Sequence, residues 1–323
     1  MPKVSVIIPN YNHAQFLEQR IQSVLDQTFQ DFEIIYLDDA STDNSNEIFA
    51  KFANNPRIRA IYNQKNSGSP FKQWNKGIRL AQGDYIWIAE SDDYADKRLL
   101  AELVDKLDNN PTVGLAYCLS WFVDESNRTM FNSKELLYFP NKERWEQNFV
   151  SDGKNECSKY LIFENIIHNA SAVLIKRSIF EKVGYADESL KLCGDWLLWV
   201  KLLLCSDVAF VAEPLNYYRA HSETVRYEAS RNGVFAEESY YIVRYILANL
   251  SCTKEAIEQA CETRIHRWLK IMFSKSDKIS WKRHLKIYKT ASKVDSRLNF
   301  RLAKNILKNL FMKTRVLSIK HVF

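Results

Sequence analysis

The chain is poor in the residues that bind phosphate through backbone alone. It holds 8 Gly and 7 Pro in 323 residues, and neither G-x-x-x-x-G-K-[ST] nor G-x-G-x-x-G follows its first strand-like segment. A nucleotide bound here is therefore not cradled by glycine. Six cysteines (Cys118, Cys157, Cys193, Cys205, Cys252, Cys261) never form C-x-x-C or a Cys/His metal spacing. They read as small buried hydrophobes in a reducing compartment. No run reaches the roughly 18 apolar residues of a membrane-spanning helix. The longest, Val113 to Val123, is broken by Gly114 and Ser120. Met1-Pro2-Lys3 leads straight into a strand pattern without a signal-peptide layout, so a soluble, cytoplasmic chain is expected.

What is present is enough for a sizeable core: 46% of residues are hydrophobic and 26% charged, which excludes a disordered chain. The charge is uneven. Between Arg264 and Lys320, 17 Lys/Arg stand against two acids, Asp277 and Asp295, and the remainder carries 28 Lys/Arg and 37 Asp/Glu. An acidic body with a basic tail suggests two jobs, the tail being drawn to an anionic surface.

Val4, Val6, Ile7 and Ile8 mark a buried strand over Lys3 to Pro9, and Phe16, Leu17, Ile21, Val24 and Leu25 repeat at helical spacing over residues 14 to 27. Strands follow at Glu33 to Leu37, Ile58 to Tyr62, Tyr85 to Ala89 and Gly114 to Val123. Helices separate them, the third running from Ser67-Gly68-Ser69-Pro70 to Ala81 with Gly83 as its C-terminal stop. Residues 124 to 160 are polar and lack a clear period. A strand at Ala170 to Ile175, a helix at Arg177 to Val183, a helix at Asp195 to Leu204 and a strand at Val208 to Ala212 come next. Beyond Asn232 the pattern is helical. This alternation predicts an α/β fold whose mostly parallel central sheet is flanked by helices, with ligands outside the carboxyl ends of the strands. Asp38/Asp39 and Asp92/Asp93 both fall at such ends. Paired carboxylates there suit a divalent cation, Mn²⁺ or Mg²⁺, bridging to phosphate.

Val4-Ser5-Val6-Ile7-Ile8-Pro9-Asn10-Tyr11-Asn12 resembles the opening of the family 2 glycosyltransferases of the GT-A fold. Leu37-Asp38-Asp39-Ala40-Ser41-Thr42-Asp43, Asn66-Ser67-Gly68, Asn75-Lys76-Gly77-Ile78 and Ala81-Gln82-Gly83-Asp84 follow in that family's order. Glu90-Ser91-Asp92-Asp93 stands where its metal-binding D-x-D lies. Gly194-Asp195-Trp196 resembles its base segment, and Glu213 to His221 its closing motif. The likeness covers residues 3 to 222. It implies an inverting hexosyl- or N-acetylhexosaminyltransferase that uses a nucleotide sugar. Pro9, Tyr11, Asp39, Asn66 and Asp92 would hold the nucleotide, Asp39 by accepting the N3–H of uracil. Asp93, Asp92 and His221 would hold the metal, and Asp195 would deprotonate the acceptor hydroxyl. His168, Asn169 and Trp196 would face the acceptor. Two departures are Gly194, where the family often has Glu, and Glu90 in place of the first Asp of the D-x-D.

The resemblance further implies a glycan or lipid-linked glycan acceptor in cell-surface polysaccharide (O-antigen- or capsule-like) synthesis. From Leu298 onward, apolar residues at 302, 306, 307, 310 and 311 are opposed by Arg301, Lys304, Lys308 and Lys313. Such a helix would attach the protein peripherally to the inner face of the plasma membrane. Packing of that stripe on the catalytic domain or on another subunit is the other use. The expected domains are 1–228, with a nucleotide-sugar half 1–123 and an acceptor half 124–228, and a helical basic region 229–323. A catalytically inactive nucleotide-sugar scaffold is the alternative. A nucleic-acid-binding protein is the third class, but no recognition motif accompanies the charge, so nucleic acid is not an expected partner.

Overall fold

A computed structural model describes residues 1–137, 141–220, 232–273 and 279–319, with side chains up to residue 308. The described residues form two units: residues 1–161, 165–189 and 194–222 make the first, and 162–164, 190–193 and 223–323 the second.

The first unit is an α/β sheet. Strands β1 (Val4–Asn10), β2 (Phe32–Asp38), β3 (Ile58–Tyr62) and β4 (Tyr85–Ile88) run parallel in the order β3-β2-β1-β4. Helices α1 (Ala14–Leu25), α2 (Ser45–Ala50) and α3 (Pro70–Leu80) make the crossovers. β1 is buried along its whole length, as its near-continuous apolar run demands of a strand covered on both faces. The sheet continues through β9 (Val173–Lys176), β6 (Val113–Val123), β10 (Asp207–Arg219) and the short β5 (Tyr94–Ala95). β6 and β10 are parallel, whereas β9 lies antiparallel between β4 and β6. The two halves expected on either side of residue 123 thus share one sheet. Helix α4 (Leu99–Asn109) packs Leu99, Leu100, Leu103, Val104 and Leu107 into its core.

The polar stretch without a clear period contains β7 (Thr129–Asn132), paired with β6, and β8 (Phe149–Ser151), paired with β10. It also holds the single-turn α5 (Gly153–Glu156). β10 runs seven residues past the strand expected at Val208 to Ala212, so the closing motif lies on a sheet strand as far as Arg219. Helix α6 (Arg177–Val183) ends on left-handed Gly184 (φ 62°), as its pattern predicted. Gly83 serves differently from its predicted role. α3 ends at Ala81 in extended backbone, and a Cβ at Gly83 would stand 2.7 Å from the Ser5 amide nitrogen. Close approach to β1, not a helix cap, is what requires glycine there.

The second unit is helical. Helices α8 (Val234–Asn249), α9 (Lys254–Met272) and α10 (Trp281–Ala291) enclose Tyr240, Ile265, Trp268, Leu269 and Ile287, joined by Leu298 at the start of α11 (Leu298–Ile319). Glu238 of α8 is buried and accepts the consecutive backbone N–H groups of Lys191, Leu192 and Cys193 at 2.8–3.0 Å. Among the described residues no helix is long and apolar enough to cross a membrane. All six cysteines are free thiols. Four are buried, but Cys205 is exposed and Cys252 half-buried.

Because the two nearest atoms facing Gly83 are backbone and cannot swing away, Gly83→Ala should cost about 1–3 kcal/mol by overpacking. The check is the denaturant midpoint of the full chain; an unchanged midpoint contradicts this close approach.

Candidate functional site

The loops that follow β1 and β2 are stitched side by side. Pro9 is buried beyond the stretch of β1 paired with β4, so its missing N–H costs that ladder nothing. Tyr11, next to the strand end, is 44% exposed. Ser41 Oγ accepts the Asn12 amide at 3.0 Å and the Asn10 side-chain amide at 3.1 Å, while Asn12 Oδ1 accepts Thr42 N–H at 2.7 Å. Asn12 and Ala40 are left-handed (φ 56° and 60°). For alanine that backbone costs about 1–2 kcal/mol, and this mesh of bonds holds it.

Asp39 is buried, and its carboxylate is the hub of the next loop. Oδ1 accepts Asn63 Nδ2 at 2.6 Å, Gln73 Nε2 at 2.8 Å and the Ser67 amide at 2.9 Å; Oδ2 accepts Ser67 Oγ at 2.7 Å. Asn66 donates to the Asp39 backbone carbonyl at 3.3 Å and accepts Gly68 N–H at 2.7 Å. A carboxylate offers about four lone-pair sites, and these donors fill them. In this conformation Asp39 anchors the loop, so a donor must withdraw before Asp39 could accept a base N–H.

The acidic element 90–93 follows β4. Asp93 is 1% exposed. Its Oδ2 accepts Asn169 Nδ2 at 2.8 Å and Ser171 Oγ at 2.6 Å, and its Oδ1 accepts the Arg219 amide at 3.0 Å. Two buried arginines brace the same turn. Arg20 Nε donates to the Glu90 carbonyl and Arg219 Nε to the Asp92 carbonyl, both at 2.8 Å, and Arg20 Nη2 stands 4.0 Å from Asp93. Burial, then the charge of Asp92, raises the Asp93 pKa and pushes Glu90 up to about 8, the latter against a bond from Trp74 Nε1. Asp92 is only half-buried. A divalent cation is commonly held by one or two carboxylates together with substrate phosphates. The half-buried Asp92 fits that role. Among the described residues no group of three His, Cys, Asp or Glu could cage an ion unaided.

Asp195 lies in the first turn of α7 (Gly194–Leu203) and is half-buried. Oδ2 accepts Asn165 Nδ2 at 3.0 Å and Oδ1 the Trp196 amide at 2.7 Å. The stretch 165–171 therefore touches both acidic centres: Asn165 holds Asp195, and Asn169 and Ser171 hold Asp93. Gly194 is required sterically, since a Cβ there would stand 2.5 Å from Cε2 of the Phe71 ring.

Two expectations change. Trp196 is 1% exposed and donates to the Leu161 carbonyl at 3.0 Å, so it is core and not an acceptor platform. Asn169 is buried and its amide is spent on Asp93 and Ser171, which makes it a brace of the acidic element. His168 is half-buried and lines, with Asn169, Ser120 and Ser133, a cavity of about 10 Å³. His221 and residues 138–140 lie outside the described residues, as do the side chains of Lys313 and its neighbours. Sequence reasoning missed Arg20, Arg219, Ser171 and Phe71. Arg20 carried a signal, a cation on the apolar face of α1 beside Leu17, Ile21 and Val24.

Comparison with known proteins bears on the family and the fold. The family model for glycosyl transferase family 2 matches residues 5–184. An uncharacterized glycosyltransferase of Rickettsia typhi is 30% identical over 223 residues, 68% of this chain and 64% of that protein. The chain thus spans slightly less than two thirds of that relative's length. Staphylococcus aureus TarS, a poly(ribitol-phosphate) beta-N-acetylglucosaminyltransferase, is 26% identical over 254 residues, 77% of this chain and 41% of TarS. The structure of TarS 1-349 in complex with UDP-GlcNAc shares the fold, with TM-score 0.64 and 20% identity over 93% of this chain and 84% of that one. A mannosyltransferase of Pyrobaculum calidifontis, in complex with GDP-Man and Mn²⁺, gives TM-score 0.57 and 15% identity over 98% and 83% of the two chains. The sheet with its flanking helices is a GT-A fold, and with more than half its length matched by the family model, the chain belongs to glycosyl transferase family 2.

Proposed function

We propose that the chain moves a sugar from a uridine diphosphate sugar to a hydroxyl of a glycan or lipid-linked glycan, inverting the anomeric carbon, with Asp195 as general base. The observation that carries this reading is the stretch 165–171. By holding Asp195 through Asn165 and Asp93 through Asn169 and Ser171, it keeps a base and an acidic donor element together. Inversion by in-line displacement needs such a pair: a base on the acceptor side and charge compensation on the leaving diphosphate. Uridine is favoured because the TarS structure contains UDP-GlcNAc. Tyr11, exposed at the mouth of the stitched loops, would stack on the base, with Pro9 behind it and the Asp39 loop beside it.

Asp195 takes the proton from the acceptor hydroxyl as the bond to the anomeric carbon forms and the bond to the diphosphate breaks, while Asn165 and the Trp196 amide orient its carboxylate. Asp92 would hold the divalent cation, with His221 as a second candidate. Asp93, whose oxygens are already occupied by protein donors, would set the turn from behind; this moves the ion-binding role from Asp93 to Asp92. When bound, Mn²⁺ or Mg²⁺ supplies charge neutralisation on the departing diphosphate. Gly194 gives little support to an inactive scaffold, because the Phe71 ring occupies the space that a side chain there would need.

For the acceptor side we propose that the second unit rests on an anionic membrane surface. On α10, Trp281 (75% exposed), Leu285 (46%) and Tyr288 (37%) recur at helical spacing, and Lys282, Lys286 and Lys289 adjoin them. An apolar stripe bordered by lysines suits an interfacial helix. A surface-polysaccharide acceptor carried on lipid, in O-antigen- or capsule-like synthesis, would be met there.

Asp195→Asn should lower kcat for sugar transfer or donor hydrolysis by about 10²–10⁴-fold while UDP still raises the melting temperature as it does for wild type. Near-wild-type turnover contradicts the base assignment. UDP-GlcNAc with Mn²⁺ should stabilise the protein in thermal melts. Replacing Mn²⁺ by EDTA, or Asp92 by Asn, should remove most of that shift, and no shift with any nucleoside diphosphate contradicts the donor reading. The full chain should sediment with vesicles containing anionic lipid, less so at high salt. Trp281→Glu/Leu285→Glu should reduce that binding, and unchanged sedimentation contradicts the membrane reading.

A further inference from the structure

Side chains from the first half of α3 touch Asp39, Glu90 and Gly194, the residue before Asp195. Gln73 Nε2 donates to Asp39 Oδ1 at 2.8 Å and to Ser67 Oγ at 3.0 Å. One residue on, Trp74 Nε1 donates to Glu90 Oε1 at 2.6 Å. Phe71 presents its ring to Gly194, the residue before Asp195, so closely that an added Cβ would meet three ring carbons at 2.5, 2.6 and 2.8 Å. Asn75 continues the series. Its side chain accepts the Ala186 amide at 3.0 Å and donates to the Ala186 carbonyl at 2.9 Å, in the segment leading toward α7.

These contacts do not arise from helix formation. Pro70 at the helix start and the hydrophobic face of α3 would be served by many side chains at positions 71 and 73. The particular set found here ties the loop around Asp39, the acidic element and the start of α7 to one rigid turn. Phe71 is 4% exposed and packs edge-to-face on Trp74 with ring centroids 5.1 Å apart. Its ring is therefore held between Trp74 and the backbone of Gly194, with little room to rotate away.

We propose that Phe71 is a positioning residue for the base: its ring, seated against Gly194, sets where Asp195 stands relative to the donor loop, and glycine at 194 is the matching half of that fit. The inference rests on the reading of Asp195 as general base. Donor-side geometry reaches the base through Ser67, Gln73 and Phe71. A shift of the Phe71 ring would move Gly194, and with it Asp195, without breaking the Gln73 bond to Asp39.

The experiment is a double-mutant cycle on the full chain with Gly194→Ala, Phe71→Ala and the two combined. The donor is the one wild type hydrolyses fastest among UDP-GlcNAc, UDP-glucose and UDP-galactose, and UDP affinity is measured for each variant. A misplacement of about 1 Å can cost on the order of 10²-fold in rate. Gly194→Ala should therefore lose tens-fold in kcat with UDP affinity within about threefold of wild type. Adding Phe71→Ala, which opens the space for the new methyl, should restore about tenfold of that loss. Additive losses in the double variant, or a Gly194→Ala protein with wild-type kcat, overturn the proposal. Asp195→Asn is assayed in parallel. If it keeps wild-type turnover, the base reading itself fails; if it is inactive while the cycle is additive, only the role of Phe71 fails.

Discussion

A carboxylate withdrawn from water must be given donors, and in the α/β unit that requirement is met by residues far apart in the chain. Asp93 accepts from Asn169, Ser171 and the backbone of Arg219. Asp39 accepts from Asn63, Ser67 and Gln73. An unpaired buried charge would cost several kcal/mol, so each carboxylate fixes the segments that serve it. The β4 end, the 165–171 stretch and the last residue of β10 are drawn together around Asp93. The β2 end, the loop before α3 and α3 itself are drawn together around Asp39. Satisfying two buried charges thus shapes the site, in which Asp92 and Asp195 are half-buried.

The charges around Asp92 are arranged in the same spirit. Glu90, Asp92 and Asp93 would repel one another in a nearly dry pocket. Arg20 and Arg219 answer by bonding the backbone carbonyls of the same turn, and Trp74 donates to Glu90. Arg20 is lowered to about 10 by burial yet stays protonated at neutral pH, held by the nearby Asp93 and Asp92 charges. The turn is thus braced from three sides by protein donors.

Much of this was legible in the amino-acid sequence. The buried runs of β1, β2 and β4, the helical spacing of α1 and the acids at strand ends are local signals, and the motif order named the family. The braces were not legible. Arg20 acts on a residue 70 positions away and Ser171 on one 78 positions away, and no local period encodes such a pairing. Trp196 reads from its apolar surroundings as core and, from its place beside Asp195, as a candidate acceptor contact; the indole lies in the core. β7 and β8 were missed because strands of four and three residues in a polar stretch leave too few positions for an alternation to show. Gly83 resembled a helix stop because it follows α3, yet its reason is the backbone of β1 across the sheet.

The most direct test of this arrangement is a crystal structure of the protein soaked with UDP and Mn²⁺. Density for the uridine is expected against Tyr11 and the Asp39 loop, with the ion on Asp92 and the Asp93 bonds to Asn169 and Ser171 intact. Nucleotide density away from these loops, or an ion held by Asp93 with Asn169 and Ser171 displaced, would contradict it.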